Sequence, residues 1–218
     1  SELVSLVGRF AHALQRERGL SNVYLASGGT RFALQRQEQI ACCDALQEEV
    51  VAQFDRLDTE ARRLPNGARL FGRIAVLLHG LDSLPALRDQ VASRDAMPAD
   101  ATASYVRLIA NLLAVVFEAA DSAGDPEVSR ALFAMFNFMQ GKEFAGQERA
   151  FGGAVFASGT VDAASRAHWQ HLIESQEACL RLFLDFSEPH VLAVEHASQQ
   201  PEVMAAIERL RRAGLFPV

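Results

Sequence analysis

Apolar residues recur at steps of three and four along nearly the whole chain, and no stretch alternates convincingly at period two. That spacing fits the helical turn and argues against a half-buried sheet, whose residues switch faces at every step. β-branched residues are sparse. The chain is therefore predicted to be all-α, with seven or eight mostly antiparallel helices packed as one or two four-helix-bundle-like units. Half of its 218 residues are hydrophobic, enough for a sizeable core.

The stops are legible too. Val7, Phe10, Leu14, Arg18, Ser21 and Leu25 share one face of a first helix over residues 2–27, which Gly28-Gly29 ends. A second helix, rich in Gln and Glu, spans about 30–57, and Pro65-Asn66-Gly67 is a turn. Leu70, Ile74, Leu77, Leu78 and Leu81 start a third, which Pro85 kinks or breaks. Residues 102–121 form a strongly apolar fourth. Gly124-Asp125-Pro126 then supplies a stop, an N-cap and a proline at the first helical position. A long helix follows over about 127–157, stopped by Gly159. Its ALFAMFNFM segment is apolar nearly all round, so other helices are expected to surround it, with Met135 and Met139 as core filler. Residues 161–186, a short stretch near 191–196 and a last segment from Pro201 to Gly214 complete the helices. No flexible linker divides residues 1–218, which are read as a single domain.

Composition removes several function classes. The formal net charge is −6, with two tyrosines and one tryptophan, a poor basis for direct nucleic-acid binding. No run approaches the roughly 20 apolar residues of a membrane span, and the SELVSL start lacks the basic and apolar regions of a signal peptide. Cys42, Cys43 and Cys179 are odd in number and two are adjacent. They argue against a disulfide framework or zinc site and for a reducing, cytoplasmic compartment, and Cys42-Cys43 are read as packing residues. His168, His171 and Glu174 have a metal-binding spacing, but no second cluster accompanies them. No nucleophile–base–orienter set or phosphate-cradling glycine loop is present, so no enzyme and no cofactor is expected.

A gapless internal similarity stands out. Residues 17–28 read ERGLSNVYLASG and residues 148–159 read ERAFGGAVFASG. Along the helix that carries the second copy, Met135, Met139, Lys142, Gly146, Arg149, Gly153 and Phe156 step by four and three, which predicts an inward stripe carrying charge and glycine. Arg18 shares a face with Phe10, Leu14 and Leu25, whereas Arg16 points elsewhere. Arg211 shares a face with Met204 and Ile207, and Arg209 and Arg212 lie off it. A guanidinium cannot shed its proton to escape burial, so each such arginine needs an anionic or carbonyl partner. Two readings follow: ion pairing with Glu17, Glu143 or Glu148, or convergence on a small planar anion, which suits guanidinium forks. Lys142 is either solvated and ion-paired or a further attraction for the anion. Gly141, Gly146, Gly152 and Gly153 serve close helix packing or room for a ligand.

LQRERGLSNVYLASG in the first helix together with FMQGKEFAGQERAFGGAVFASG in the fifth resembles the nitrate- and nitrite-sensing (NIT) domain family, including the sensor region of nitrate-responsive transcription antiterminators. The resemblance extends from Leu3 to the IERLRR run. It implies an all-helical sensor that binds nitrate, and nitrite, between helices. The arginines of the ERG and ERA motifs map to Arg18 and Arg149, a third to Arg211 in the LRR run, and Arg16 is a further member. It also implies an output module or partner protein, for instance an RNA-binding ANTAR domain, which the sequence does not contain. The alternative expectation is a helical dimerisation or docking scaffold without a small-molecule ligand, since the long apolar faces also suit a homodimer.

Overall fold

The computed structural model describes residues 2–61, 67–188, 191 and 200–215. Among them there are eight helices and no strand. They are α1 (Glu2–Ala26), α2 (Ala33–Ala61), α3 (Gly67–Leu81), α4 (Leu84–Ser93), α5 (Pro98–Asp121), α6 (Pro126–Ser158), α7 (Ala163–Phe186) and α8 (Pro201–Leu215). The all-α prediction holds. The predicted turn at Pro65-Asn66 and the short helix near 191–196 lie largely outside the described residues. Two compact units divide the chain after Leu132, within α6.

In the first unit α1 packs against α2 and α5, and α5 also packs against α3. The spacing of apolar residues explains the packing. Val4, Val7, Phe10 and Leu14 of α1 are almost fully buried, as are Cys43 and Val50 of α2, Leu77 of α3, and Ile109, Leu112, Leu113 and Val116 of α5. The turn from α1 to α2 uses Gly28 at φ 65° and Gly29 at φ 85°, values open to glycine without steric cost. Arg94 fastens that turn by donating from Nη1 to the Gly28 carbonyl at 3.0 Å. Pro85 breaks rather than kinks the third helix: α3 stops at Leu81, and α4 restarts with the proline in its first turn.

α5 corrects one expectation. By length and composition the stretches Gly67–Ser93 and Pro98–Asp121 are both apolar enough to cross a membrane. In α5 the apolarity has a local cause. The helix meets α1 and α3, so its buried surface is wider than one stripe, and half of its most apolar window is inside the protein.

In the second unit the rest of α6 carries α7 and α8. Asp162 caps α7, its Oδ1 accepting from the Ser165 amide at 2.7 Å, and Gly159 at φ 67° ends α6 as predicted. The ALFAMFNFM segment is not enclosed: Met135 is 41% exposed and Phe138 48%. Met135 is therefore not core filler. The sequence showed apolar residues on all sides, but Ala134 and Asn137 hold the buried face, and the half-exposed Phe138 meets Phe183 ring to ring at 5.2 Å.

Candidate ligand-binding site

In the first unit, α1 sets Glu17, Arg18 and Ser21 on its buried side and Arg16 in solvent. Arg18 is 5% exposed, as the facing argument required. Glu17, fully buried beside it, is held by residues the sequence reading missed. Arg88 of α4 forks onto it, Nε to Oε1 at 2.8 Å and Nη2 to Oε2 at 2.9 Å. Tyr105 of α5 donates its hydroxyl to Oε1 at 2.7 Å. Arg88 also reaches Asp44 of α2 through Nη1 at 2.5 Å, so one side chain ties α4 to α1 and α2. Arg36 supports the group, donating to Ser21 Oγ at 3.2 Å and to the Arg88 carbonyl at 2.9 Å. The signal for Arg88 was in the sequence: Leu84, Arg88 and Val91 step by four and three, and the two apolar members are buried.

Burial alone would raise the pKa of Glu17, but the Arg88 fork, its charge and the Tyr105 hydrogen bond outweigh it and hold the carboxyl below its ordinary value of 4.5. Burial and the Glu17 charge push the Tyr105 hydroxyl and the Cys43 thiol up. A carboxylate with a depressed folded pKa stabilises the fold above its unfolded pKa and loses that contribution as pH falls through the folded value. The urea midpoint is expected to fall as pH drops below 4.5. Glu17→Gln should flatten that fall; an equally steep fall in the variant would dismiss Glu17 as its source.

In the second unit the predicted stripe is displaced. Lys142, Arg149, Gly153 and Phe156 are exposed, whereas Gly141, Glu148, Gly152 and Val155 are buried. The packed face lies about 100° round the helix, one residue earlier. Two interleaved series step by three and four here, and periodicity alone does not choose between them. Glycine decides: a Cβ at Gly152 would lie 3.0 Å from the Trp169 ring and one at Gly141 3.3 Å from Cys179, while one at Gly153 would meet nothing within 4 Å. Gly141 and Gly152 thus serve close packing against α7.

Arg211 of α8 lies on the packed side. It grips Glu148 through Nε to Oε1 at 2.6 Å and Nη2 to Oε2 at 2.7 Å. It also donates to Gln176 at 2.8 Å and to Glu208 at 3.1 Å. Trp169 Nε1 donates to the same Glu148 Oε1 at 3.4 Å. For Arg211 the ion-pairing alternative with Glu148 is the one observed. Of its predicted companions, Ile207 is partly buried but Met204 is 47% exposed. The sequence repeat is now also a repeat in bonding. Each motif glutamate, Glu17 or Glu148, takes a bidentate arginine from a later helix and an aromatic donor on Oε1.

Other candidates resolve simply. His168 and His171 are exposed, His168 resting edge-on against Phe151 at 4.8 Å. Cys42 is exposed, so only Cys43 of that pair is a packing residue. Lys142 keeps solvent contact, yet partial burial holds its ammonium pKa below the ordinary value. An open concavity of about 510 Å³ at the α6–α7 turn is lined by Phe151, Ala154, Val155, Ser158, Thr160, Val161, Asp162 and Ser165. It offers a carboxylate and no cation, so it does not suit an anion.

Comparison with known proteins agrees with this architecture. The chain is 35% identical over 212 residues to a nitrate regulatory protein of Klebsiella oxytoca, covering 97% of this chain and 52% of that protein. The solved structure of the NasR transcription antiterminator superposes with a TM-score of 0.86 at 33% identity, covering 97% of this chain and 56% of the antiterminator chain. The chain thus spans about half the length of these relatives. The family described as nitrate and nitrite sensing matches residues 9–217, and the chain belongs to that family.

Proposed function

We propose that this protein is a sensor that binds nitrate, and nitrite, through Arg18, Arg149 and Arg211, and passes the binding event to a regulatory output. Membership of the nitrate and nitrite sensing family across residues 9–217 carries the reading. The arginine assignments rest on the ERG and ERA motifs and on chemistry. A guanidinium donates two parallel hydrogen bonds to a planar oxyanion, and Arg18 and Arg149 occupy equivalent places in the repeat. Arg16, exposed on α1 as Arg149 is on α6, is a further and weaker member of the set.

The mechanism is charge neutralisation: a bound monoanion offsets the repulsion between the arginines that it draws together. The ligand favours whichever arrangement presents the arginines to it, and shifts the equilibrium only by its difference in affinity between states, typically about 1–3 kcal/mol. The output is a module or partner protein of the kind relatives carry, with an antitermination module as the leading candidate; α8, as the carrier of Arg211, relays the change. The sensor acts in the cytoplasm, binds no nucleic acid itself, and has no catalytic role.

Calorimetric titration with nitrate at constant ionic strength, with chloride as the replaced anion, tests this reading. Wild type is expected to bind. Arg18→Ala and Arg149→Ala are each expected to weaken binding about tenfold to a hundredfold, the loss of one charge-assisted fork, and Arg16→Ala less. Silence from wild type at millimolar nitrate would remove the sensor assignment. Unchanged affinity in both variants would remove the site assignment.

A further inference from the structure

The two motif glutamates are bonded alike but not equally closed in. Glu17 is fully buried, its Arg88 partner is 11% exposed, and the Tyr105 hydroxyl is 2.7 Å away. Glu148 keeps 11% exposure and Arg211 12%, and the aromatic donor, Trp169 Nε1, stands at a longer 3.4 Å. The Glu17 carboxylate has no exposed surface, whereas the Glu148 carboxylate keeps some contact with water.

A carboxylate bound side-on to a guanidinium presents two oxygens in one plane, the arrangement in which nitrate would present two of its three. Glu148 therefore fills the positions on Arg211 Nε and Nη2 that a planar anion would use. With Glu208 on Nη1 and Gln176 on Nη2, all three guanidinium nitrogens have acceptors. An anion can gain a fork from Arg211 only by replacing one already made.

We propose that Glu148 is an internal competitor for the anion: its carboxylate occupies the Arg211 fork in the unliganded state, and the incoming nitrate displaces it. The inference rests on the reading of Arg211 as a ligand-binding residue. Three consequences follow. Glu148 sets the nitrate concentration at which the sensor responds, because binding must offset the pair that it breaks. It confers selectivity, since an anion unable to offer two coplanar oxygens, such as chloride, cannot replace a carboxylate fork. Its release also removes the bidentate tie between α6 and α8, leaving α8 held to α7 by Gln176 and by Gly214 against the Trp169 ring. Ligand occupancy thereby changes how firmly α8 is attached.

Two readouts test this on the full chain. The first is nitrate affinity by calorimetry for wild type and Glu148→Gln, which keeps the shape and loses the charge. The variant is expected to bind nitrate about tenfold more tightly, the scale of one charge-assisted contact no longer displaced. The second uses the chain's one tryptophan, Trp169, 2% exposed and hydrogen-bonded to Glu148. Saturating nitrate should move its emission maximum in wild type, and chloride at equal ionic strength should not. The maximum is read rather than the intensity, because free nitrate absorbs light. A folded Glu148→Gln with equal or weaker affinity, or a wild-type maximum unmoved by saturating nitrate, overturns the proposal. If Glu148→Gln fails to fold, the emission arm decides alone. A wild type that binds no nitrate overturns the sensing reading together with this one. A wild type that binds while either arm fails overturns only the competitor.

Discussion

Arg88→Ala is expected to destabilise the first unit by about 3–5 kcal/mol, the usual cost of stripping one partner from a buried ion pair. The variant leaves Glu17, with no exposed surface, holding the Tyr105 hydroxyl and the Cys43 thiol but no cation on its carboxylate fork. Desolvation, outweighed in the wild type by Arg88, then controls its pKa and drives it upward. Two signatures separate this from loss of packing. A group whose folded pKa is raised gains stability as it takes up a proton, so the deficit should shrink as the pH is lowered from 7 towards 5. Glu17→Gln should also rescue part of the loss when combined with Arg88→Ala, because the uncompensated charge is gone. Urea denaturation of the two single variants and the double variant measures both. A deficit below about 1 kcal/mol would place Arg88 among ordinary surface ion pairs.

Gly214→Ala is expected to loosen α8 and lower the stability of the second unit by about 1–3 kcal/mol, the range for overpacking. A Cβ at this position would lie 2.2 Å from two carbons of the Trp169 ring, far inside the 3.5–4.0 Å of a carbon–carbon contact. The ring cannot retreat, because it is 2% exposed and the backbone at Gly152 lies against it, close enough that a Cβ there would be 3.0 Å away. Alanine gains about 1 kcal/mol in helix propensity over glycine, and the clash exceeds that gain. Gly153→Ala supplies the control. It lies on the same helix as Gly152 but would meet nothing within 4 Å, so there alanine should be neutral or stabilising. Hydrogen exchange of the α8 amides and thermal melts of the two variants decide the matter; equal melts would mean that α8 shifts freely to admit the methyl group.

Helix content and most boundaries were legible because capping and breaking are local. Asp125 before Pro126, Gly159 at positive φ and Pro85 in the first turn of α4 each act within a few residues. The facing of Arg18 against Arg16 was legible because α1 has a single apolar stripe. The same argument failed for Arg149, where α6 carries two competing series and the bulky indole from α7 selects the one bearing Gly152. Arg88 was missed although Leu84 and Val91 flank it at helical spacing. Its partner carboxylate lies 71 residues away, and no local pattern ranks one buried charge above another.

By itself the sequence determined the all-helical class, the places where helices start and stop, the duplicated ERG and ERA segments, and the family resemblance that the wider comparison established. Each depends on spacing within one helix or on a run of residues. The tertiary structure alone decided which side of α6 is buried, that both motif glutamates are gripped by arginines from later helices, and that the Arg211 fork holds the Glu148 carboxylate. Those outcomes depend on which distant side chain the packed helices bring to a buried charge, and chain spacing does not encode that.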